Sequence, residues 1–215
     1  MKHLNLSSIL PHHYPSAAKL VATSFYDNPA HIYLCPNDAT RQAQLEWLLG
    51  INLRIQLKHG AESFCMAENG QTKAMGFWTK PNQIKVGLIP QIQGGLLKVP
   101  FKMGFSALSR VMEVSGGIAE HLTRTMGETQ PYRYLNNMVI QENMRGKGLG
   151  ASILQQQFAT IQAKEKGAIL ALSTQRYRTV RFYEGLGFEV LLEEKIGKEP
   201  LAFLNWTMRK ELLVL

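Results

Sequence analysis

Apolar positions recur along this chain with two periods, and the change from one to the other outlines its elements. Residues 3–8 alternate apolar and polar, which predicts a short first strand. From Pro11 the period lengthens. Ala17, Leu20, Val21, Ser24 and Phe25 fall at helical spacing, so a helix is expected to about Tyr26, ended by Asp27-Asn28-Pro29. Asp38 is placed to cap a second helix. Its apolar face is Leu45, Leu48, Leu49, Leu53 and Ile55, and Gly60 suits the position just past its end. Residues 63–67 and 73–78 then read as two strands around Glu68-Asn69-Gly70-Gln71, where Asn-Gly supplies the positive φ angles of a tight type I′ turn.

Residues 80–130 are less regular. Pro81, Pro90, Gly94-Gly95 and Pro100 predict loop and short turns. Beyond them Leu108, Val111, Met112, Ile118, Leu122 and Met126 form one helical stripe over 105–126, interrupted at Gly116-Gly117. That stripe reads as core packing, and it is compatible with a wall of an acceptor pocket. The last third predicts a strand at 132–140, a helix at 148–166 closed by Gly167, a buried strand at 168–173, a short helix at 178–186 stopped by Gly187, and strands at 188–193 and 201–208. Such an order implies a mixed α/β sheet. With no internal repeat or low-complexity segment, residues 1–215 read as one domain, with 80–130 inserted between the third and fourth strands.

Composition narrows the function classes. Of the 215 residues 45% are hydrophobic and 19% charged, as in a globular protein long enough to bury a full core. The two cysteines, Cys35 and Cys65, form no CxxC pair and have no His cluster beside them, which argues against a disulfide framework and structural zinc. The opening residues show no leader-like apolar region, and no apolar run reaches the ~18 residues of a membrane span. The expectation is a cytoplasmic protein with reduced thiols, no membrane partner and no metal. The net charge of +8 invites a nucleic-acid reading, but the basic residues are not gathered into one tail, and no helix-turn-helix or aromatic RNA-binding pattern is visible. A phosphorylated small ligand fits the charge as well.

The chemistry concentrates where a strand ends and a helix begins, in Val139-Ile140-Gln141-Glu142-Asn143-Met144-Arg145-Gly146-Lys147-Gly148-Leu149-Gly150-Ala151. First-turn amides of a helix lack internal partners and point outward with the positive end of the helix dipole. Omitting side chains at Gly146, Gly148 and Gly150 lets a diphosphate approach those amides, and Arg145 and Lys147 add positive charge. A Walker loop would need Ser or Thr after Gly146-Lys147, and Gly148 stands there. A dinucleotide fingerprint matches Gly146, Gly148 and Ala151, but the next strand ends Ser173-Thr174 without the acidic residue that should hold the ribose.

Arg145-Gly146-Lys147-Gly148-Leu149-Gly150 resembles the acetyl-CoA signature of the GNAT superfamily of N-acetyltransferases. One helix and one strand later, Val180-Arg181-Phe182-Tyr183-Glu184-Gly185-Leu186-Gly187-Phe188-Glu189-Val190 resembles that family's second signature. The ordered pair covers about a quarter of the chain. Phe25-Tyr26-Asp27-Asn28-Pro29, with Tyr33, Pro36 and Arg41, also resembles the opening of a bacterial and fungal branch of the family.

The resemblance implies a mixed, mostly antiparallel central sheet, splayed at the fourth strand and flanked by helices. It implies acetyl-CoA as co-substrate. Met138, Val139 and Ile140 would pair with the pantetheine arm, and the amides of Arg145, Gly146, Lys147, Gly148, Leu149 and Gly150 would hold the pyrophosphate. Thr174, Thr179 and Phe182 would also contact the cofactor, Thr179 standing where the family's signature usually has Asn. Tyr183 would be the general acid, protonating the departing thiolate of CoA. One of Arg176, Arg178 and Arg181 is a candidate for the 3′-phosphate. The strand position where family members often carry a Glu base reads Tyr134-Leu135-Asn136-Asn137-Met138, with no carboxylate. Glu68, Glu113 and His121 are the substitutes, and a water-relayed base is expected over any of them. The expected function is transfer of an acetyl group from acetyl-CoA directly to a primary amine on a small molecule, by a monomer or homodimer. The alternative is a non-catalytic acyl-CoA-binding sensor.

Overall fold

A computed structural model of the chain describes residues 4–80, 96–127 and 130–213. Six strands join in one sheet: β1 Glu62–Glu68, β2 Gln71–Trp78, β3 Arg133–Ile140, β4 Ile169–Thr174, β5 Glu189–Ile196 and β6 Phe203–Glu211. Their order across the sheet is β1-β2-β3-β4-β6-β5, antiparallel at each step except β3–β4, which is parallel. The β1–β2 turn forms on Asn69 and Gly70 at φ of 50° and 72°, as its Asn-Gly sequence requires. The strand expected at 3–8 reduces to a single bridge, Ser7 with Cys65, so too few residues pair there to make a strand. The stretch after β2 therefore follows the second strand of the sheet and not the third. The expected breaks at Pro81, Pro90 and Gly94-Gly95 lie outside the described residues.

Seven helices are described. The first three are α1 Tyr14–Phe25, α2 Pro29–Leu34 and α3 Asp38–Lys58. They are followed by α4 Val99–Met103, α5 Phe105–Met126, α6 Leu149–Lys164 and α7 Tyr177–Glu184. Neighbouring β2 residues divide between two cores: Met75 and Phe77 join α1, α2, α3 and α5 in one, Ala74 and Trp78 join α6, β4 and β6 in the other. Since strand side chains alternate, the two helix sets cover opposite faces of the sheet. Leu45 and Leu53 of α3 are almost wholly buried in the first core, each contributing about 1.5–3 kcal/mol.

Three local expectations change. The cap of α3 is Asn37, whose side chain accepts from the Ala39 amide at 3.0 Å, and Asp38 becomes the first helical residue. Asn28, three residues beyond the end of α1, caps α2 by accepting from the Ala30 amide at 3.0 Å; Pro29 opens this short helix, which the apolar pattern did not predict. Helix α5 runs unbroken through Gly116-Gly117. A Cβ on Gly117 would lie 2.9 Å from Ile196 Cγ2, so this glycine lets α5 press against β5. The buried line of α5 is Ala107, Val114, His121, Leu122 and Met126, while Met112 is exposed. No described helix is long and apolar enough to cross a membrane.

Candidate functional site

Strands β3 and β4 share only two register pairs, Arg133 with Leu170 and Tyr134 with Ala171. Beyond Tyr134 they part, while the other edge of β3 stays bound to β2 through Val139 and Ile140. The β2–β3 pairing also skips: Met75 faces Val139 but Phe77 faces Asn136, so two residues of β3 oppose Gly76. Asn137 takes the left-handed conformation there at φ 51°, and its amide donates to Asn52 Oδ1 at 3.4 Å. The bulge and the parting of the strands leave one edge of β3 unpaired with β4. A cleft of about 1430 Å³ occupies this gap, running from Tyr134 to the turn that begins α6.

After β3 the chain turns through Glu142–Met144 and enters α6 over two glycines. Gly146 and Gly148 each have φ 74°, and a Cβ on either would meet nothing within 4 Å. Both supply the left-handed backbone and leave the approach to the turn open. The first bond of α6 is Ser152 N–H to Gly148 C=O at 3.0 Å, so the amides of Leu149, Gly150 and Ala151 have no helical acceptor. Gly150 is small for another reason than the one read from sequence. Its Cβ would lie 3.1 Å from Ile140 Cδ1 and 3.2 Å from Phe182 Cζ, so it allows α6 to pack on the end of β3 and on α7.

The two basic residues of the turn separate. Arg145 lines the cleft and is braced, donating from Nε to Ile140 C=O at 2.8 Å and from Nη2 to Ser24 Oγ at 3.0 Å. Lys147 donates to Asn143 C=O at 3.0 Å and does not line the cleft. Its short-range bond to the turn draws the ammonium away from the mouth. Arg176 and Arg178 line the cleft, whereas Arg181 pairs with Glu184 at 2.9 Å on the outer face of α7.

The remaining expected residues come together. Met138, Val139, Ile140, Gly146, Gly148, Leu149, Gly150, Thr174, Thr179, Phe182 and Tyr183 all line this one cleft. Tyr183 is 7% exposed, with its ring edge-on to Phe182 and Phe188 at 5.1 and 5.5 Å. Burial pushes its hydroxyl far above the usual phenol range, and Tyr134, the second phenol in the cleft, adds to the shift. Such a hydroxyl stays protonated and is a donor, not a base.

None of the three substitute bases lines the cleft. Glu68 is exposed at the hairpin end. Glu113 accepts from Tyr33 Oη at 2.5 Å. His121 is buried, 3.2 Å from Asn205 Nδ2 and 3.7 Å from Glu194. Glu142, in the turn before α6, is the only carboxylate among the described residues of the lining. Sequence reasoning missed His31, which lines the cleft stacked on Phe25 at 4.7 Å, with a buried Nδ1 that has no partner. Burial, reinforced by the Arg176 guanidinium, pushes its imidazole down to about 3. No spacing rule marks it, because α2 brings it in from outside both glycine blocks. Among the described residues no group of three or more His, Cys, Asp or Glu is placed to hold a metal ion.

Comparison with known proteins bears on this arrangement. The family model described as Acetyltransferase (GNAT) domain matches residues 109–190. A histone acetyltransferase HPA2-related protein from Corynebacterium glutamicum superposes with a TM-score of 0.60 at 14% identity, over 95% of this chain and 94% of that one. An agmatine N-acetyltransferase gives 0.60 at 11% identity, over 96% and 98%. Arylalkylamine N-acetyltransferase 2 from Aedes aegypti gives 0.59 at 11% identity, over 97% and 98%. Identities this low establish a shared fold and leave the acceptor of this chain to its own residues.

Proposed function

Because the chain carries a GNAT acetyltransferase domain, which uses acetyl-CoA, we propose that it transfers the acetyl group directly to the primary amine of a small molecule, with Tyr183 as general acid. The observation that carries this reading is the convergence, on one cleft, of the open turn at Gly146 and Gly148, the unpaired edge of β3 and the Tyr183 phenol. The diphosphate would sit on the amides of the turn. Met138 to Ile140 would offer backbone groups to the pantetheine amides. Arg176 or Arg178 is free to meet the 3′-phosphate.

In the transfer the amine nitrogen forms its bond to the thioester carbon, the carbon–sulfur bond breaks, and the thiolate takes the Tyr183 proton. A proton leaves the nitrogen through water and the phenol is restored from solvent. No acetyl-enzyme is needed, since holding both reactants together suffices. Neither Cys35 nor Cys65 lines the cleft, and burial pushes the Cys35 thiol up to about 11 and raises that of Cys65. Thiols kept protonated are poor nucleophiles. A Cys35→Ala, Cys65→Ala double variant is expected to retain activity, and mass spectrometry after incubation with acetyl-CoA should find neither cysteine acetylated in the wild type.

The proposal is tested by calorimetric titration with CoA and by thiol release from acetyl-CoA with a panel of amines. Binding with amine-dependent release supports it. Binding without release from any amine would instead favour a non-catalytic acyl-CoA sensor. Gly148→Val should raise the Kd for CoA at least about tenfold, or ~1.4 kcal/mol, because a β-branched residue resists φ 74° and its methyls enter the open approach. An unchanged Kd would place the diphosphate elsewhere.

A further inference from the structure

We propose that the acceptor is a primary monoamine on an apolar body, and that the cleft rejects polyamines and lysine-rich peptides. The inference rests on the acetyltransferase reading above and adds the substrate class. With the turn and α7 assigned to the cofactor, the walls left for the acceptor come from α3 and α5. They present Trp47, Leu48, Ile51, Ile55, Val111 and Ile118. Polar groups on this part of the lining, such as Asn52, Asn136 and Ser115, are uncharged.

A polycation needs a carboxylate for each charge it brings out of water, since an unpaired buried ammonium is strongly disfavoured. Glu142 is the only carboxylate among the described lining residues, and it belongs to the turn assigned to the diphosphate. The other charged side chains of the described lining, Arg145, Arg176 and Arg178, are cationic and offer a second ammonium no partner. One of the protein's own side chains feels that environment: His31 is held uncharged in the cleft by burial and by Arg176. A monoamine avoids these penalties by binding as the free base, and its apolar body displaces water from α3 and α5.

The experiment compares kcat/KM for 2-phenylethylamine, putrescine, spermidine and a lysine-containing peptide at one pH with saturating acetyl-CoA. The aromatic monoamine should exceed each of the others at least about tenfold. Met112 lines the cleft from α5 and is exposed, so Met112→Glu leaves the core intact. That variant should move the putrescine-to-phenylethylamine ratio upward about tenfold, with the Kd for CoA unchanged. A wild-type preference for putrescine, spermidine or the peptide overturns the inference while leaving amine acetylation standing. Equal ratios in wild type and variant overturn the assignment of α5 as an acceptor wall. Thiol release with none of the four, despite CoA binding, overturns the functional reading on which the inference rests.

Discussion

Tyr183→Phe is expected to lower kcat about a hundredfold or more and to leave the Kd for CoA within error of the wild type. General acids contribute about 10²–10⁴-fold, and on the proposed reading the Tyr183 hydroxyl is the donor to the departing thiolate. The substitution removes one oxygen and keeps the ring, so the edge-on contacts with Phe182 and Phe188 persist and the fold should be unaffected. Burial raises the Tyr183 pKa, so the hydroxyl is protonated throughout the neutral range and the variant loses a proton donor, not a charge. An interaction made only in the transition state predicts that kcat and kcat/KM fall together. Steady-state kinetics with a turned-over amine, paired with calorimetry of CoA, separates the two effects. Turnover equal to wild type would remove Tyr183 as the acid.

Features set by neighbours in sequence were legible before the fold was known. Asn69-Gly70 closes its hairpin and Gly146 and Gly148 take the left-handed turn, because only the local backbone decides these. The helix and strand order of the last third follows its periodicity, with boundaries shifted by at most three residues. Features set by distant neighbours were not legible. Gly150 reads like the glycines beside it, yet Ile140 and Phe182 determine its size. Gly116-Gly117 reads as a break, and contact with Ile196 makes it a close approach within one helix. One local feature was also missed: Lys147 and Arg181 belong to the expected basic set, but Asn143 and Glu184, three or four residues away, draw them off the cleft, which a count of basic residues does not reveal. His31 enters the cleft through tertiary packing alone. The parting of β3 from β4 followed from the family resemblance and not from the residues of β3, whose alternation continues across the point where the strands separate.

The pH dependence should carry the second large effect. For an alkylamine acceptor, kcat/KM at saturating acetyl-CoA is expected to rise about tenfold per pH unit from pH 7 until the acceptor's own pKa, near 10 for a lysine-like amine. This slope is expected where no side chain beside the reacting groups takes the amine's proton: among the described residues the one carboxylate of the lining, Glu142, lies in the turn assigned to the diphosphate. Glu113 is committed to Tyr33, Glu68 ends β1 at the hairpin, and His121 lies between Asn205 and Glu194 away from the lining. His31 does line it, but its pKa of about 3 means it is neutral at every pH tested and changes charge nowhere in the range. The fraction of free amine is then the only quantity that changes, and the apolar walls select that form because burial disfavours the ammonium. The alkaline side follows from Tyr183. Its pKa is raised, so the protonated acid is fully present below the ordinary phenol value and is lost only above its elevated one; no falling limb should appear before the acceptor's break. Profiles for two amines of different basicity decide the matter, because the break should move with the amine. A common break near pH 7 for both would reveal a base on the enzyme and end this account of deprotonation.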